Sequence, residues 1–163
     1  MKVGIIGLGR MGEGMSRRMI KEGIEVYGYR RNYVKAQEAV KSGYITDAAD
    51  SLERLVQVVK SKKSIYGEKS GETVYVETQG IFQITCPEQK TEDTLDELLP
   101  LLEEGDIIID HSTSDISKCQ ELEKYCSKLG ISYIFSGVYG APYAVDACSK
   151  IFQSLSPGNA TRV

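Results

Sequence analysis

Short apolar runs alternate along the chain with longer segments in which apolar residues recur at three- and four-residue steps. The short runs are typical of buried β-strands, and the longer segments are typical of helices that pack one face against a core. The pattern predicts strands at 2–6, 25–29, 44–46, 81–86, 106–110 and 132–135. It predicts helices at about 10–22, 33–42, 50–60, 91–103 and 115–129. Because strands and helices alternate, we expect an α/β fold in which helices cover both faces of a parallel sheet.

Residues with special capping properties mark several helix ends. Ser114 is a suitable N-cap for the last helix, and Asp50 or Ser51 for the third, because their side-chain oxygens can accept hydrogen bonds from the first turn. The fourth predicted helix carries Pro100. Glycines suited to the conformation that closes a helix follow three of the segments, at Gly23, Gly43 and Gly130.

Apolar residues at helical spacing predict the buried faces of the first and last helices. On the first helix, Met11, Met15 and Met19 lie four residues apart and should pack against the sheet rather than serve a cofactor. On the last helix, the same spacing predicts a buried face made of Ile116, Cys119, Leu122, Cys126 and Leu129.

Residues 61–80 interrupt the alternation. Two β-prone runs, Ser64–Tyr66 and Thr73–Val76, flank a polar segment bounded by glycines. This pattern predicts a β-hairpin inserted into the fold, and a disordered loop is the alternative. The last residues are poor in apolar side chains and include a Pro-Gly pair, so we expect a domain at 1–150 followed by a frayed tail at 151–163.

The composition excludes several classes of protein. With 163 residues, 41% of them apolar, the chain is long enough for one globular domain with a core. A net charge of −3 argues against nucleic acid as a partner. The apolar runs are too short to span a bilayer, and a first strand beginning at Lys2 leaves no room for a signal peptide. We therefore expect a cytoplasmic protein that does not contact a membrane.

The cysteines and the histidine do not form a metal-binding pattern. Cys86, Cys119, Cys126 and Cys148 show no Cys-x-x-Cys spacing, and His111 is the only histidine. We expect no zinc site, and we expect buried free thiols rather than a disulfide or a ligand set.

A glycine-rich run, Gly7-Leu8-Gly9-Arg10-Met11-Gly12, lies between the first predicted strand and the first predicted helix. In a dinucleotide site, Gly7 allows a tight turn, Gly9 lets the backbone approach a pyrophosphate, and Gly12 lets the helix pack closely on the strand. The phosphates then meet the N–H groups and the positive dipole end of that helix. The run therefore predicts a dinucleotide site that includes Gly7, Leu8, Gly9, Arg10, Met11 and Gly12.

The end of the second strand predicts which dinucleotide binds. An acidic residue at this place favours NAD, whereas basic residues accommodate the 2′-phosphate of NADP. Here the sequence is Tyr29-Arg30-Arg31-Asn32, without Asp or Glu. Because a guanidinium matches the geometry of a phosphate, we predict NADP as the cofactor, with Arg30, Arg31 and Asn32 at its ribose. A solvated basic turn is the alternative.

Two separated blocks give the chain a family resemblance. The first block consists of Gly7–Gly12, Gly23–Val26 and Tyr29–Arg31, and the second block is Leu98–Asp110. In both blocks the chain resembles the NADP-binding domain of the 6-phosphogluconate dehydrogenases and of the related 3-hydroxyisobutyrate and other β-hydroxyacid dehydrogenases. The resemblance covers about residues 1–138, apart from 61–80. It implies a Rossmann-type, doubly wound, mainly parallel sheet with the strand order 3-2-1-4-5-6.

The resemblance also implies roles for two turns. The family transfers a hydride from a hydroxy acid to NADP. The turn Thr85-Cys86-Pro87 corresponds to the one beside the nicotinamide ribose, and His111-Ser112-Thr113 corresponds to the turn that faces the substrate. Asp110-x-Ser112-Thr113 is more similar to the hydroxyisobutyrate branch than to the Asp-Gly-Gly-Asn of the phosphogluconate branch.

The chain departs from the family after the sixth strand. The family carries Val-Ser-Gly-Gly there to hold the substrate, whereas this chain has Val138-Tyr139-Gly140-Ala141, which makes Tyr139 and Gly140 substrate-side candidates. The family's catalytic lysine lies in a Lys-x-x-x-Asn pattern, but here Lys150 is followed by Ser154. We also expect the family's all-helical second domain to be absent from this chain.

Three functions are compatible with these observations. The chain could be the NADP-binding half of an oxidoreductase, with a homodimer or a partner chain supplying a second domain. It could oxidise a small hydroxy acid by itself, with Tyr139 or His111 replacing the missing groups. It could instead be a non-catalytic module whose protein contacts depend on NADP(H).

Overall fold

The computed structural model describes residues 1–61, 63–66, 73–76, 79–112 and 115–137, and of residues 63–66 and 73–76 only the backbone. In chain order the strands of this part are β1 (Lys2–Ile6), β2 (Glu25–Tyr29), β3 (Asp47–Ala49), β4 (Lys63–Tyr66), β5 (Thr73–Val76), β6 (Ile81–Ile84), β7 (Ile107–Asp110) and β8 (Ser132–Phe135). The α-helices are α1 (Arg10–Lys21), α2 (Tyr33–Lys41), α3 (Leu52–Val59), α4 (Thr91–Leu98) and α5 (Ile116–Lys128).

Six of the strands form a parallel sheet in the order β3-β2-β1-β6-β7-β8. Numbered along the chain without β4 and β5, this is the predicted order 3-2-1-4-5-6, and the Rossmann-type fold is confirmed. Strands β4 and β5 pair with each other in an antiparallel ladder from Lys63↔Val76 to Tyr66↔Thr73, as expected of a hairpin. The predicted tail at 151–163 lies outside the described residues.

Helices cover both faces of the sheet, and each face has its own hydrophobic core. Successive side chains of a strand alternate between the two faces, so in β1 Val3 and Ile5 belong to one core and Ile6 to the other. The first face packs against α1 and α2, and the second against α3, α4 and α5. Among the helices of the described ranges, none combines the length and the apolar character needed to cross a membrane.

The third strand was predicted three residues too early. Instead of residues 44–46, β3 comprises Asp47–Ala49. The earlier residues make other hydrogen bonds: Tyr44 N–H donates to Ala39 O of the helix end at 2.9 Å, and the Thr46 hydroxyl oxygen accepts from Val26 N–H at 3.0 Å. Residues 44–46 are therefore the connection that leads to the strand.

The fourth helix is shorter than predicted. We expected it at 91–103, but α4 ends at Leu98 and a 3₁₀ turn, Leu99–Leu101, contains Pro100. A proline lacks the N–H group that an α-helix needs and its ring collides with the preceding turn, so the helix stops before it.

The last helix begins with a different cap, and its ends are more exposed than predicted. Its N-cap is Asp115, whose carboxylate accepts from Ser117 N–H at 2.9 Å, and Ser114 lies outside the described residues. Cys119 and Cys126 are buried, as expected, and both are free thiols. Ile116 and Leu129 are 69% and 43% exposed, because they lie at the two ends of the helix, beyond the stretch that the sheet covers.

The last two strands of the sheet, β7 and β8, share a buried polar contact beside the second core. Asp110, the last residue of β7, has no exposed surface, and one of its carboxylate oxygens accepts a hydrogen bond from the Tyr133 hydroxyl at 2.6 Å. Burial, followed by this contact, raises the pKa of Tyr133 well above its ordinary value, so the hydroxyl keeps its proton and remains a donor.

Removal of this hydroxyl should destabilise the fold. We expect Tyr133→Phe to lower the free energy of unfolding by about 1–3 kcal/mol, because a buried carboxylate oxygen loses a donor. Urea denaturation followed by circular dichroism measures the effect. Tyr125→Phe is the matched control, since that side chain is 54% exposed on α5. Equal stability of the two variants would contradict the interpretation.

Candidate functional site

A cleft of about 600 Å³ opens at the carboxyl ends of β1, β2, β6 and β7. Ligands of open α/β sheets bind at this edge. Twelve of the seventeen site residues predicted from the sequence line it: Gly7, Leu8, Gly9, Arg10, Met11, Arg30, Arg31, Thr85, Cys86, Pro87, His111 and Ser112. Gly12 and Asn32 do not line it, and Thr113, Tyr139 and Gly140 lie outside the described residues.

Gly7 makes the turn between β1 and α1. Its φ of +100° is a conformation that residues with a side chain avoid, and its N–H donates to Tyr29 O at 3.0 Å. A Cβ atom at this position would lie 2.8 Å from the backbone nitrogen of Cys86. The turn therefore needs glycine both for its conformation and for its contact with the end of β6.

The other two glycines of the motif differ in their surroundings. A Cβ atom at Gly12 would overlap the carbonyl oxygen of Gly7 and lie 2.7 Å from the Thr85 hydroxyl, so Gly12 permits the close packing of α1 on the glycine turn and on Thr85. A Cβ atom at Gly9 would meet nothing within 4 Å, since this residue borders the open cleft. Gly9 is also the N-cap of α1, whose first N–H groups lack partners within the helix.

Thr85 ties β6 to the glycine turn. Its hydroxyl donates to the carbonyl oxygen of Gly7 and approaches that of Ile6 at 3.3 Å. Next to it, the Cys86 sulfur lies 3.7 Å from the Thr91 hydroxyl and 3.8 Å from the Thr94 hydroxyl, both on α4. The floor of the cleft is thus held together by contacts between three separate elements.

The two arginines after β2 have different positions. Arg30 donates through Nη1 to the carbonyl oxygen of Leu8 at 3.0 Å and so braces the glycine turn. Arg31 is 62% exposed, and its Nη2 lies 3.9 Å from Asp93 on α4. Asn32 caps α2, because its side chain accepts from Lys35 N–H at 3.2 Å. Of the three residues predicted at the ribose, Arg31 is the one that presents an exposed cation to the cleft.

His111 forms part of the cleft wall after β7. Its Nδ1 lies 3.3 Å from the Ser136 carbonyl oxygen, which can only accept, so Nδ1 carries the proton of the neutral ring and Nε2 is an acceptor. Nε2 is buried and has no hydrogen-bond partner among the described residues. Burial lowers the pKa of His111, although the Ser136 carbonyl and Asp110 act in the opposite direction. At neutral pH the ring is therefore uncharged and can act as a base.

Asp110 fixes the start of the same turn. One of its carboxylate oxygens accepts from Ser112 N–H at 2.7 Å, while the other accepts from Tyr133. The described residues contain no group of three His, Cys, Asp or Glu side chains that could hold a metal ion. The wall of the cleft at β7 thus offers hydrogen-bonding groups.

Several residues that line the cleft were not predicted: Ile6, Met15, Tyr29, Lys90 and Thr94. Met15 is buried in the core and Met11 packs against it, but both also line the cleft. Lys90 is the most informative omission because it adds a cation. A 3₁₀ turn, Glu88–Lys90, follows Pro87 and brings this lysine back to the cleft. No local sequence motif marks this lysine as a cleft residue, because the fold brings it there.

Comparison with known proteins identifies the family. Residues 2–153 match the family model described as the NAD binding domain of 6-phosphogluconate dehydrogenase. The chain belongs to this family. It is therefore an NAD(P)-binding domain of the oxidoreductases that resemble 6-phosphogluconate and 3-hydroxyisobutyrate dehydrogenases, as the two sequence blocks indicated.

The relatives are considerably longer than this chain. The decarboxylating 6-phosphogluconate dehydrogenase of Drosophila simulans is 32% identical over 164 aligned positions, which cover 96% of this chain and 29% of the relative. The chain thus spans less than a third of that protein.

Solved structures share the fold. An imine reductase from Myxococcus stipitatus in complex with NADP⁺ superposes with a TM-score of 0.67 at 19% identity, covering 88% of this chain and 43% of its own. The 3-hydroxyisobutyrate dehydrogenase of Salmonella typhimurium gives a TM-score of 0.66 at 20% identity, covering 88% and 44%.

The two glycines with different surroundings make a matched pair for mutation. We expect Gly12→Ala to destabilise the fold by about 1–3 kcal/mol, because its Cβ has no room between α1 and the turn. Gly9→Ala should stay folded, since its φ of −86° suits alanine and its Cβ meets nothing. It should nevertheless weaken NADP⁺ and NAD⁺ alike, about tenfold or more, because the methyl group would lie where the glycine motif is expected to receive a pyrophosphate. Thermal denaturation and isothermal titration measure the two effects, and unimpaired binding by Gly9→Ala would contradict this assignment.

The single histidine permits a direct test of its environment. We expect its imidazole NMR signal to titrate with a pKa below 6.5 in the folded protein and near 6.5 in urea. The unfolded state then binds more protons, so this group stabilises the fold above about pH 6.5 and loses that contribution as the pH falls through the folded pKa. His111→Asn should flatten this part of the stability profile. A folded pKa at or above 6.5 would show that burial does not dominate.

Proposed function

We propose that this domain binds NADP(H) in preference to NAD(H), in an oxidoreductase that acts on a small hydroxy acid. The observation that carries the cofactor preference is Arg31, an exposed guanidinium at the end of β2 where NAD-specific folds place a carboxylate. Arg31 is free to pair with a ribose 2′-phosphate through two parallel hydrogen bonds. Its ion pair with Asp93 is long, at 3.9 Å, and exposed, so a phosphate can replace the carboxylate at little cost in free energy.

The residues of the cleft fit a dinucleotide. The space beside Gly9 and the first turn of α1 would receive the pyrophosphate, as the open surroundings of Gly9 suggest. The end of β2 would hold the adenosine ribose, and Thr85 and Cys86 would border the nicotinamide end, because β6 lies on the opposite side of β1 from β2. When bound, the cofactor supplies the hydride acceptor.

On the substrate side we propose a role for the turn after β7. Ser112 and His111 border the cleft beyond β6, where a hydroxy acid would meet the nicotinamide. Oxidation of a hydroxyl needs a group that takes its proton. The neutral ring of His111, whose Nε2 has no partner in the part of the chain that the structure describes, suits a base better than an acid at neutral pH. We also propose that a homodimer or a partner chain supplies a second domain for the complete reaction.

The cofactor preference has a direct test. We expect isothermal titration to give a lower Kd for NADP⁺ than for NAD⁺. Arg31→Gln should weaken NADP⁺ about tenfold, the scale of a charged hydrogen bond, and leave NAD⁺ within about twofold. Arg54→Gln on α3, an exposed arginine outside the cleft, serves as the control. Equal affinity of the unmodified protein for the two nucleotides would overturn the proposed preference.

A further inference from the structure

Two basic side chains on different walls of the cleft reach the same carboxylate oxygen. Arg31 follows β2, whereas Lys90 ends the 3₁₀ turn before α4, and both line the cleft. Lys90 Nζ lies 3.2 Å from Asp93 Oδ2, and Arg31 Nη2 lies 3.9 Å from that oxygen. The two nitrogens are therefore no more than about 7 Å apart, with one carboxylate between them.

This carboxylate is held weakly. The side chains of Lys90, Asp93 and Arg31 are 51%, 55% and 62% exposed. Ion pairs this exposed contribute little to stability, because water screens them and the long side chains lose entropy. A phosphate monoester carries up to two negative charges and offers three acceptor oxygens. It can therefore displace a single carboxylate from two cations.

From this geometry we propose that Lys90 is a second specificity-determining residue, which binds the 2′-phosphate of NADP(H) together with Arg31. In the absence of the nucleotide, Asp93 forms ion pairs with both cations, and the phosphate displaces it on binding. The inference rests on the proposed function. It assigns opposite effects to neighbouring side chains: Lys90 strengthens the preference for the phosphorylated dinucleotide, and Asp93 weakens it by competing for the same cations.

An ion pair between α4 and α5, which also uses a carboxylate of the first turn of α4, provides the control. Lys118 Nζ lies 2.7 Å from Glu92 Oε1, and these side chains are 58% and 66% exposed, but neither residue lines the cleft. Glu92 and Asp93 both lie in the first turn of α4, where a negative charge stabilises the helix. Any effect that comes only from this helix end should therefore appear equally in Glu92→Gln and Asp93→Asn.

The experiment is isothermal titration of the whole chain with NADP⁺ and with NAD⁺. We expect Lys90→Gln to weaken NADP⁺ about five- to tenfold and to leave NAD⁺ within about twofold. Asp93→Asn should strengthen NADP⁺ about two- to fivefold without changing NAD⁺. Lys118→Gln and Glu92→Gln should change neither. The Thr94 hydroxyl donates to the Lys90 carbonyl oxygen at 2.7 Å. The lysine side chain takes no part in this bond, so Lys90→Gln should remain folded.

Each other outcome has a distinct meaning. If the unmodified chain binds both nucleotides equally, the proposed function fails first. If that chain prefers NADP⁺ but Lys90→Gln keeps the full preference, the inference about Lys90 is wrong and the proposed function stands. Equal weakening of both nucleotides by Lys90→Gln would also overturn it, since the contact would then involve a group that NAD⁺ shares. No gain in Asp93→Asn would remove the role of the competing carboxylate.

Discussion

The site depends on the close approach of the glycine turn to the end of β6. At Gly7 and at Gly12 a side chain would overlap backbone or the Thr85 hydroxyl, and that hydroxyl closes the contact by donating to the Gly7 carbonyl. The first turn of α1 is thereby held above the carboxyl ends of two neighbouring strands. Arg30 then adds a hydrogen bond to the Leu8 carbonyl from the far side. Because each of these contacts constrains the same few backbone atoms, the turn is fixed in the absence of a ligand, and little ordering is needed when one binds.

The charges of the cleft show how an acidic chain can bind an anion. The net charge is −3, yet Arg10, Arg30, Arg31 and Lys90 all line this one cleft. They are not equivalent, because a cation that already donates to a backbone carbonyl, as Arg30 does, serves the fold first. The exposed cations are the ones left to recognise a ligand. Local placement, rather than total charge, therefore determines what the domain attracts.

The elements that were predictable from the sequence are those in which the local conformational preferences of the residues agree with the tertiary contacts that they make. The glycine turn and the strand order follow from Gly7, Gly9 and Gly12 in their context and from the family resemblance. Errors arose where one residue decides the outcome, as Pro100 does in ending α4, or where a segment bonds to a neighbouring element, as Thr46 does with Val26. Lys90 was missed because its position near Arg31 results from the strand order, which places β2 and β6 on either side of β1. A linear pattern does not encode that distance.

The turn after β7 also limits how an acid could be recognised. Asp110 accepts from Ser112 N–H and from the Tyr133 hydroxyl, while the Ser136 carbonyl holds the His111 ring, so the turn and the imidazole are both anchored. With its pKa lowered by burial, His111 is uncharged at neutral pH. Under the proposed function it can take the proton of a hydroxyl, but as a neutral ring it offers no positive charge to a substrate carboxylate. A base that accepts a hydrogen bond at Nε2 cannot donate from that atom to the carboxylate as well, so the groups that bind the carboxylate are separate from the base.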